Sequence, residues 1–188
     1  MSVNNTSLIL ENKNLSTFEI TENFTCIRFL NQNKERFELE FNLEKGTSFN
    51  TFLIISGDEL FIIHPPEKEY SKLINEVISN FHDEFKFNKI NIITGHVNPK
   101  IIETIKSISL KFSNLAITCS NPGSKLISEL WNQKNPKLET FIEQELPKIN
   151  IVKKELNLEL ENISLKLLPV ATARWPGGLI VYEENQEI

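Results

Sequence analysis

Thr94-Gly95-His96-Val97-Asn98-Pro99-Lys100-Ile101 is the stretch of this chain whose residue types and spacing come closest to a chemical site. His96 can ligate a metal or exchange a proton. Asn98 is a weak neutral oxygen donor, a protonated lysine such as Lys100 has no acceptor lone pair, and Ile101 offers nothing to a cation. One imidazole falls short of the several ligands that a closed metal site needs. The other candidates are His64, His82, Cys26 and Cys119. Spacing sets no carboxylate or nucleophile beside either histidine, so structural or solvent-exposed roles are expected for both. Cys119 has no assigned base and reads as a small buried residue at a strand end.

The elements around this loop explain its position. Ile90 to Thr94 reads as a buried strand, Gly95 turns the chain, and Asn98-Pro99 is a helix start with Asn as N-cap and Pro at the first helical position. A loop at the carboxyl end of a strand is where open α/β sheets place ligands. Upstream, Phe24 to Leu30 and Arg36 to Phe41 read as strands, the second by period-two alternation. Phe52 to Ile55 and Leu60 to Ile63 flank Ser56-Gly57-Asp58-Glu59 and should pair as a hairpin.

The period then changes. Tyr70, Leu73, Ile74, Val77, Ile78 and Phe81 lie on one face of an amphipathic helix. A helix from Pro99 groups Ile101, Ile105, Ile108 and Phe112, and strand Leu115 to Cys119 leads to a second Asn-Pro start at Asn121-Pro122 and a helix burying Leu126, Ile127, Leu130 and Trp131. From Ile149 alternation returns, with Leu156 to Leu160 and Ile163 to Leu167 read as a hairpin of a second sheet across Glu161-Asn162. Residues 132 to 146 read as a loop with a short helix over Leu138 to Gln144. Residues 1–15 are polar and Asn-rich, expected to be frayed, and residues 16–188 form one domain.

Five stretches carry a family resemblance. Gly46-Thr47-Ser48-Phe49-Asn50-Thr51-Phe52-Leu53-Ile54 with Ile62-Ile63-His64-Pro65-Pro66 is similar to the opening strands of flavodiiron proteins, modular oxygen or nitric oxide reductases. Thr94 to Pro99, Cys119 to Leu126 and Ala173 to Leu179 resemble the subgroup of cyanobacteria and other oxygenic phototrophs in which iron ligands are substituted. The resemblance runs from about Gly46 to about Glu183. It implies a metallo-β-lactamase-like αββα sandwich of α/β class whose second sheet is unfinished at Ile188, leaving an exposed edge prone to pairing. The family's loop His-x-Glu-x-Asp-His falls on His96, Asn98, Lys100 and Ile101, and its His-Trp-Pro-Asp falls on Arg174, Trp175, Pro176 and Gly177. A guanidinium cannot ligate, so Arg174 and Lys100 are expected to put two cations where the metals' charge stood. The family's last Asp and His ligands, its FMN-holding flavodoxin domain and the appended flavin-reductase domain would lie beyond Ile188.

Composition narrows the function classes. With 188 residues, 40% of them hydrophobic, the chain can bury one substantial core. A net charge of -5 without a basic tract argues against nucleic-acid binding. The cysteines form no zinc spacing and read as reduced thiols. No apolar run is long enough to span a membrane, and the start lacks a basic signal region, so a cytoplasmic protein is expected. The resemblance implies a metal-less module of an NAD(P)H-dependent oxygen reductase, inactive alone and holding no cofactor. The alternatives are a scaffold subunit that pairs with an intact flavodiiron protein through the Arg174 to Gly177 loop and the open edge, and a metallo-hydrolase, for which ligands are missing.

Overall fold

The computed structural model describes residues 15–31, 47–133, 144–170, 172, 177–185 and 187–188. The strand read over Arg36 to Phe41, nearly all of the helix read over Leu138 to Gln144, and Arg174, Trp175 and Pro176 lie outside the described residues. Residues 1–14 do too, but Leu15, expected to be frayed, is buried and opens a strand.

Strands β1 (Leu15–Thr21), β2 (Phe24–Asn31), β3 (Thr47–Ser56) and β4 (Glu59–Ile63) form an antiparallel meander. β1 escapes a period-two reading because its register shifts between Glu19 and Thr21, which breaks the alternation. Gly57, at φ +56°, supplies the positive φ that the tight β3–β4 turn requires. From β4 the pairing turns parallel, through β5 (Lys89–Ile93), β6 (Leu115–Ser120) and β7 (Lys148–Val152), to complete a seven-stranded sheet in sequence order. Helices α1 (Ser71–Phe85), α2 (Pro99–Lys111) and α3 (Asn121–Asn132) are the crossovers. They bury Ile74, Val77, Ile78 and Phe81, then Ile101, Ile105 and Ile108, then Ile127 and Trp131, while Leu126 and Leu130 stay half-buried.

A second sheet of β8 (Leu156–Leu160), β9 (Ile163–Pro169) and β10 (Leu179–Glu183) has the order β10-β9-β8. β8 and β9 form the expected hairpin, while β7, where the alternation begins, belongs to the first sheet. Its Ile149 packs into the helix-side core and Val152 into the core between the sheets. The same alternation sorts every central strand: Leu60 and Ile62 of β4 face the helices, and Phe61 and Ile63 face the second sheet. At about 1.5–3 kcal/mol for each fully buried large aliphatic side chain, these two cores fix the layers. Helices, first sheet and second sheet are three layers of the αββα sandwich; the fourth is not among the described residues.

Of the second sheet's two edges, β8 ends one side with no strand beyond it among the described residues, and β10 is partly tied. Glu184 N donates to Ser164 O and Val170 N to Gly178 O, both at 3.0 Å, so Gly178, Ile180, Tyr182 and Glu184 turn their backbone groups toward β9. Leu179, Val181 and Glu183 turn theirs outward. Leu179 N donates to Gly95 O at 3.3 Å, and Glu183 exchanges bonds of 2.7 and 3.2 Å with Ile188. The β10 edge is therefore tied at both ends, with Val181 between the ties.

Candidate functional site at the carboxyl ends of the parallel strands

Ile63 of β4 pairs with Ile93 of β5, so the residues that follow emerge side by side at one end of the sheet. His64 N donates to Ile93 O at 2.8 Å, and Thr94 N to Thr118 O at 3.0 Å, which continues the ladder past the strand ends. His64 adopts φ +59°, uncommon for a residue with a Cβ. The surroundings hold it there. Buried Thr51 donates its hydroxyl to His64 O at 2.8 Å, and the imidazole stacks on Phe49 with ring centroids 4.9 Å apart and planes 12° from parallel.

This strained backbone brings His64 to His96, with ring centroids 6.5 Å apart in an edge-on arrangement. Spacing along the chain does not reveal the pair, because it depends on the register between two parallel strands. The signal lies in Ile-Ile-His and Ile-Ile-Thr-Gly-His, each placing an imidazole just past a strand that ends in paired isoleucines. Burial, with the neighbouring His96 adding to it, pushes the His64 imidazole down to about 4, so it stays neutral near pH 7.

The remaining positions serve the fold. Asn98 Oδ1 accepts from Ile101 N at 2.9 Å, which caps α2. Lys100 Nζ bonds Glu69 at 2.5 Å and Glu67 at 3.1 Å, the first within the one-turn 3₁₀ helix Lys68–Tyr70 and the second at its N-cap, and the Glu69 carboxylate foremost holds its ammonium above the usual lysine range. Lys68 reaches back to Glu103 of α2. Lys100 is thus bound into an ion-paired clamp between that turn and α2. Of the two cations expected to replace the metals' charge, Lys100 is ion-paired to Glu67 and Glu69, and Arg174 lies outside the described residues. Among the described residues, no group of three or more His, Cys, Asp or Glu is placed to hold a metal ion.

At β6, the cap of α3 is Ser120 rather than Asn121. Gly123 N donates to Ser120 Oγ at 3.2 Å, and Asn121 becomes the first helical residue, its carbonyl accepting from Ser124 Oγ. Ser120 also donates to Gly177 O at 2.9 Å, a contact not anticipated. A Cβ on Gly177 would lie 3.3 Å from Gly123 Cα and 3.5 Å from Val97 Cγ2. Gly177 therefore seats against the N-terminus of α3 and the His96 loop.

No candidate supplies a nucleophile. Cys119 is fully buried, its thiol pushed up to about 12, and Cys26 is buried with its thiol raised. His82 sits in α1, edge-on to Phe87 at 5.0 Å. A cleft of about 230 Å³ at the opposite end of the sheets, between the β1–β2, β3–β4 and β8–β9 turns, contains neither imidazole nor thiol. No described helix is long and apolar enough to cross a membrane.

No family model matches the chain. Its sequence is 29% identical over 177 residues to diflavin flavoprotein A 6 of Nostoc sp. PCC 7120, and 28% over 180 residues to diflavin flavoprotein A 5 of the same organism. Each alignment takes in 94% of this chain and 29% of the relative, so the chain spans under a third of their length. The crystal structure of residues 1–254 of the Nostoc A 5 protein superposes with a TM-score of 0.73 at 27% identity, covering 90% of this chain and 62% of that fragment. A metal-soaked flavodiiron core from Synechocystis has a TM-score of 0.73 at 24% identity and covers 90% of this chain, a likeness of fold alone. The chain is a homologue of the leading part of the cyanobacterial diflavin flavoproteins and has the metallo-β-lactamase-like fold of the flavodiiron core.

Proposed function

We propose that this chain is a metal-free module of a flavodiiron-type NAD(P)H:oxygen oxidoreductase system, acting through association with other flavodiiron polypeptide rather than through iron chemistry of its own. The donor set carries the reading. Two imidazoles face each other at the strand ends, Asn98 is spent on a helix cap, and Lys100 is bound to Glu67 and Glu69. A diiron centre draws on carboxylates and imidazoles together, and a pair of histidines lacks the anionic oxygen that would balance two cations. These residues do not fit a diiron centre, and no redox step is routed through one. The remaining 71% of the relatives' length lies outside the stretch this chain matches.

The test is metal loading of the purified chain. After anaerobic incubation with Fe²⁺, and separately with Zn²⁺, followed by desalting, the expected content is well below one metal per chain with an unchanged Tm. Stoichiometric metal with a raised Tm overturns the proposal, and retained zinc with hydrolytic turnover would favour the metallo-hydrolase alternative.

A further inference from the structure

The register of the second sheet fixes what its β8 edge offers. Ser164 O accepts from Glu184 N and Val170 N donates to Gly178 O, so Ser164, Lys166 and Leu168 turn their backbone groups toward β10, and Ile163, Leu165 and Leu167 turn theirs toward β8. These three pair with Leu160, Leu158 and Leu156. The backbone N–H and C=O groups of Asn157 and Glu159 therefore point outward, with no strand beside them among the described residues. The side chains alternate as well. Leu160 is buried in the core between the sheets, Leu158 packs half-buried against that core, and Leu156 on the same face is 46% exposed. Asn157 and Glu159 are exposed on the outer face.

We propose that β8 pairs antiparallel with β8 of a second copy of this chain about a two-fold axis at Leu158, joining the two three-stranded sheets into one continuous sheet across a dimer. This pairing goes beyond the function proposed above and is independent of metal content.

Three observations select a second copy. With the axis at Leu158, Leu156 lies opposite the partner's Leu160 and Asn157 opposite the partner's Glu159, so all five residues of β8 overlap. Asn157 and the partner's Glu159 then form the hydrogen-bonded pair, twice by symmetry, which satisfies the outward N–H and C=O of both residues. The strand is also complementary to itself in its side chains. On the outer face the Asn157 amide can donate to the partner's Glu159 carboxylate, and no like charges oppose each other within the strand; on the inner face exposed Leu156 is covered by the partner's Leu160, which continues the apolar layer between the sheets. Finally, the other edges are guarded. β1 carries a register shift between Glu19 and Thr21, β7 starts directly after Pro147 on the exposed Lys148, and β10 gives its outward bonds to Gly95 and Ile188. β8 has neither a proline nor a shift in register.

The experiment is analytical ultracentrifugation of the 188-residue chain at rising concentration, with hydrogen exchange measured at both ends of the range. One strand pair is a small interface, so the expected result is a monomer–dimer equilibrium that dissociates on dilution, with exchange at the Asn157 and Glu159 amides slowed in the dimer. Asn157→Glu sets a carboxylate against the partner's Glu159 twice by symmetry and is expected to weaken the dimer roughly tenfold. Within the chain the same position faces Lys166, so the urea midpoint of the dilute variant should hold or rise, which separates lost association from lost folding. Asn157→Lys should move both readouts the other way, tightening the dimer while slightly loosening the fold. A chain that stays monomeric at every concentration, protection confined to β1 or β7, growth into larger assemblies, or a dimer indifferent to Asn157→Glu would each overturn the proposal. None of these outcomes bears on the metal-loading test, so the two readings fail separately.

Discussion

Gly95 and Leu179 meet backbone to backbone: Leu179 N donates to Gly95 O at 3.3 Å, and a Cβ on Gly95 would lie 2.1 Å from Leu179 O. The contact joins the loop that carries His96 to the first residue of β10, so glycine is required there by space alone. Gly95→Ala must push the two segments apart and is expected to cost about 1–3 kcal/mol, the range for overpacking a close-packed site. Gly177→Ala, whose nearest atom would be 3.3 Å away, should cost less. Urea denaturation of both variants checks the order. Equal midpoints would show that the Gly95 loop relaxes without penalty.

The parts of the fold that were legible in the sequence are those whose periodicity is local. Ile74, Val77, Ile78 and Phe81 lie at helical spacing and are all buried in α1, and Ser56-Gly57-Asp58-Glu59 signals the β3–β4 hairpin by composition. What was not legible depends on pairing. The isoleucines of β7 fit either sheet until β6 claims the strand, and β1 hides behind its own register shift. Ser120 and Asn121 are both good cap formers in adjacent positions, so composition could not separate them. The site follows the same rule: the substituted His96 loop was readable, but the approach of His64 needed the Ile63–Ile93 register.

Asn98 contributes through the cap of α2, so its removal should be felt as lost stability. Asn98→Ala leaves Ile101 N without its acceptor and is expected to lower stability by about 1 kcal/mol. Asn98→Asp preserves the acceptor and adds a negative charge at the helix N-terminus, where the dipole favours it, so it should be neutral or slightly stabilising. Denaturation midpoints at neutral pH decide. An alanine variant as stable as the parent would remove the capping role.

Lys100 has a strong geometric tie to Glu67 and Glu69, but its side chain is 49% exposed. Solvent screens such a pair, so Lys100→Met should cost no more than about 1 kcal/mol, and the difference should shrink as salt rises and the Debye length shortens. A large loss that salt does not touch would mean that the clamp between α2 and the preceding turn acts through packing.

The cysteines should be silent in the folded state. Both are buried, and Cys119 needs a pH near 12 to form thiolate, the species that reacts. A thiol reagent at pH 8 is expected to label neither residue in the native chain and both on denaturation. Fast labelling of Cys119 under native conditions would mean that β6 opens locally far more often than its burial allows.

His64 gives the chain a specific pH signature. Its imidazole titrates near 4 in the fold against an ordinary 6.5, because burial penalises the charged form. As pH falls below 6.5 the unfolded chain therefore gains a proton that the folded chain refuses, and stability declines until about pH 4, with a limiting slope near 1.4 kcal/mol per pH unit from this group. Above 6.5 neither state binds that proton and the contribution is constant. His64→Asn removes the titration with a residue that tolerates the left-handed backbone of this position, so the difference between parent and variant isolates the histidine from the carboxylates that titrate alongside it. Urea midpoints at half-unit intervals from pH 4.5 to 7.5 should show the parent losing stability more steeply than the variant below 6.5. Parallel curves would mean that the imidazole takes its proton in the fold as readily as in water.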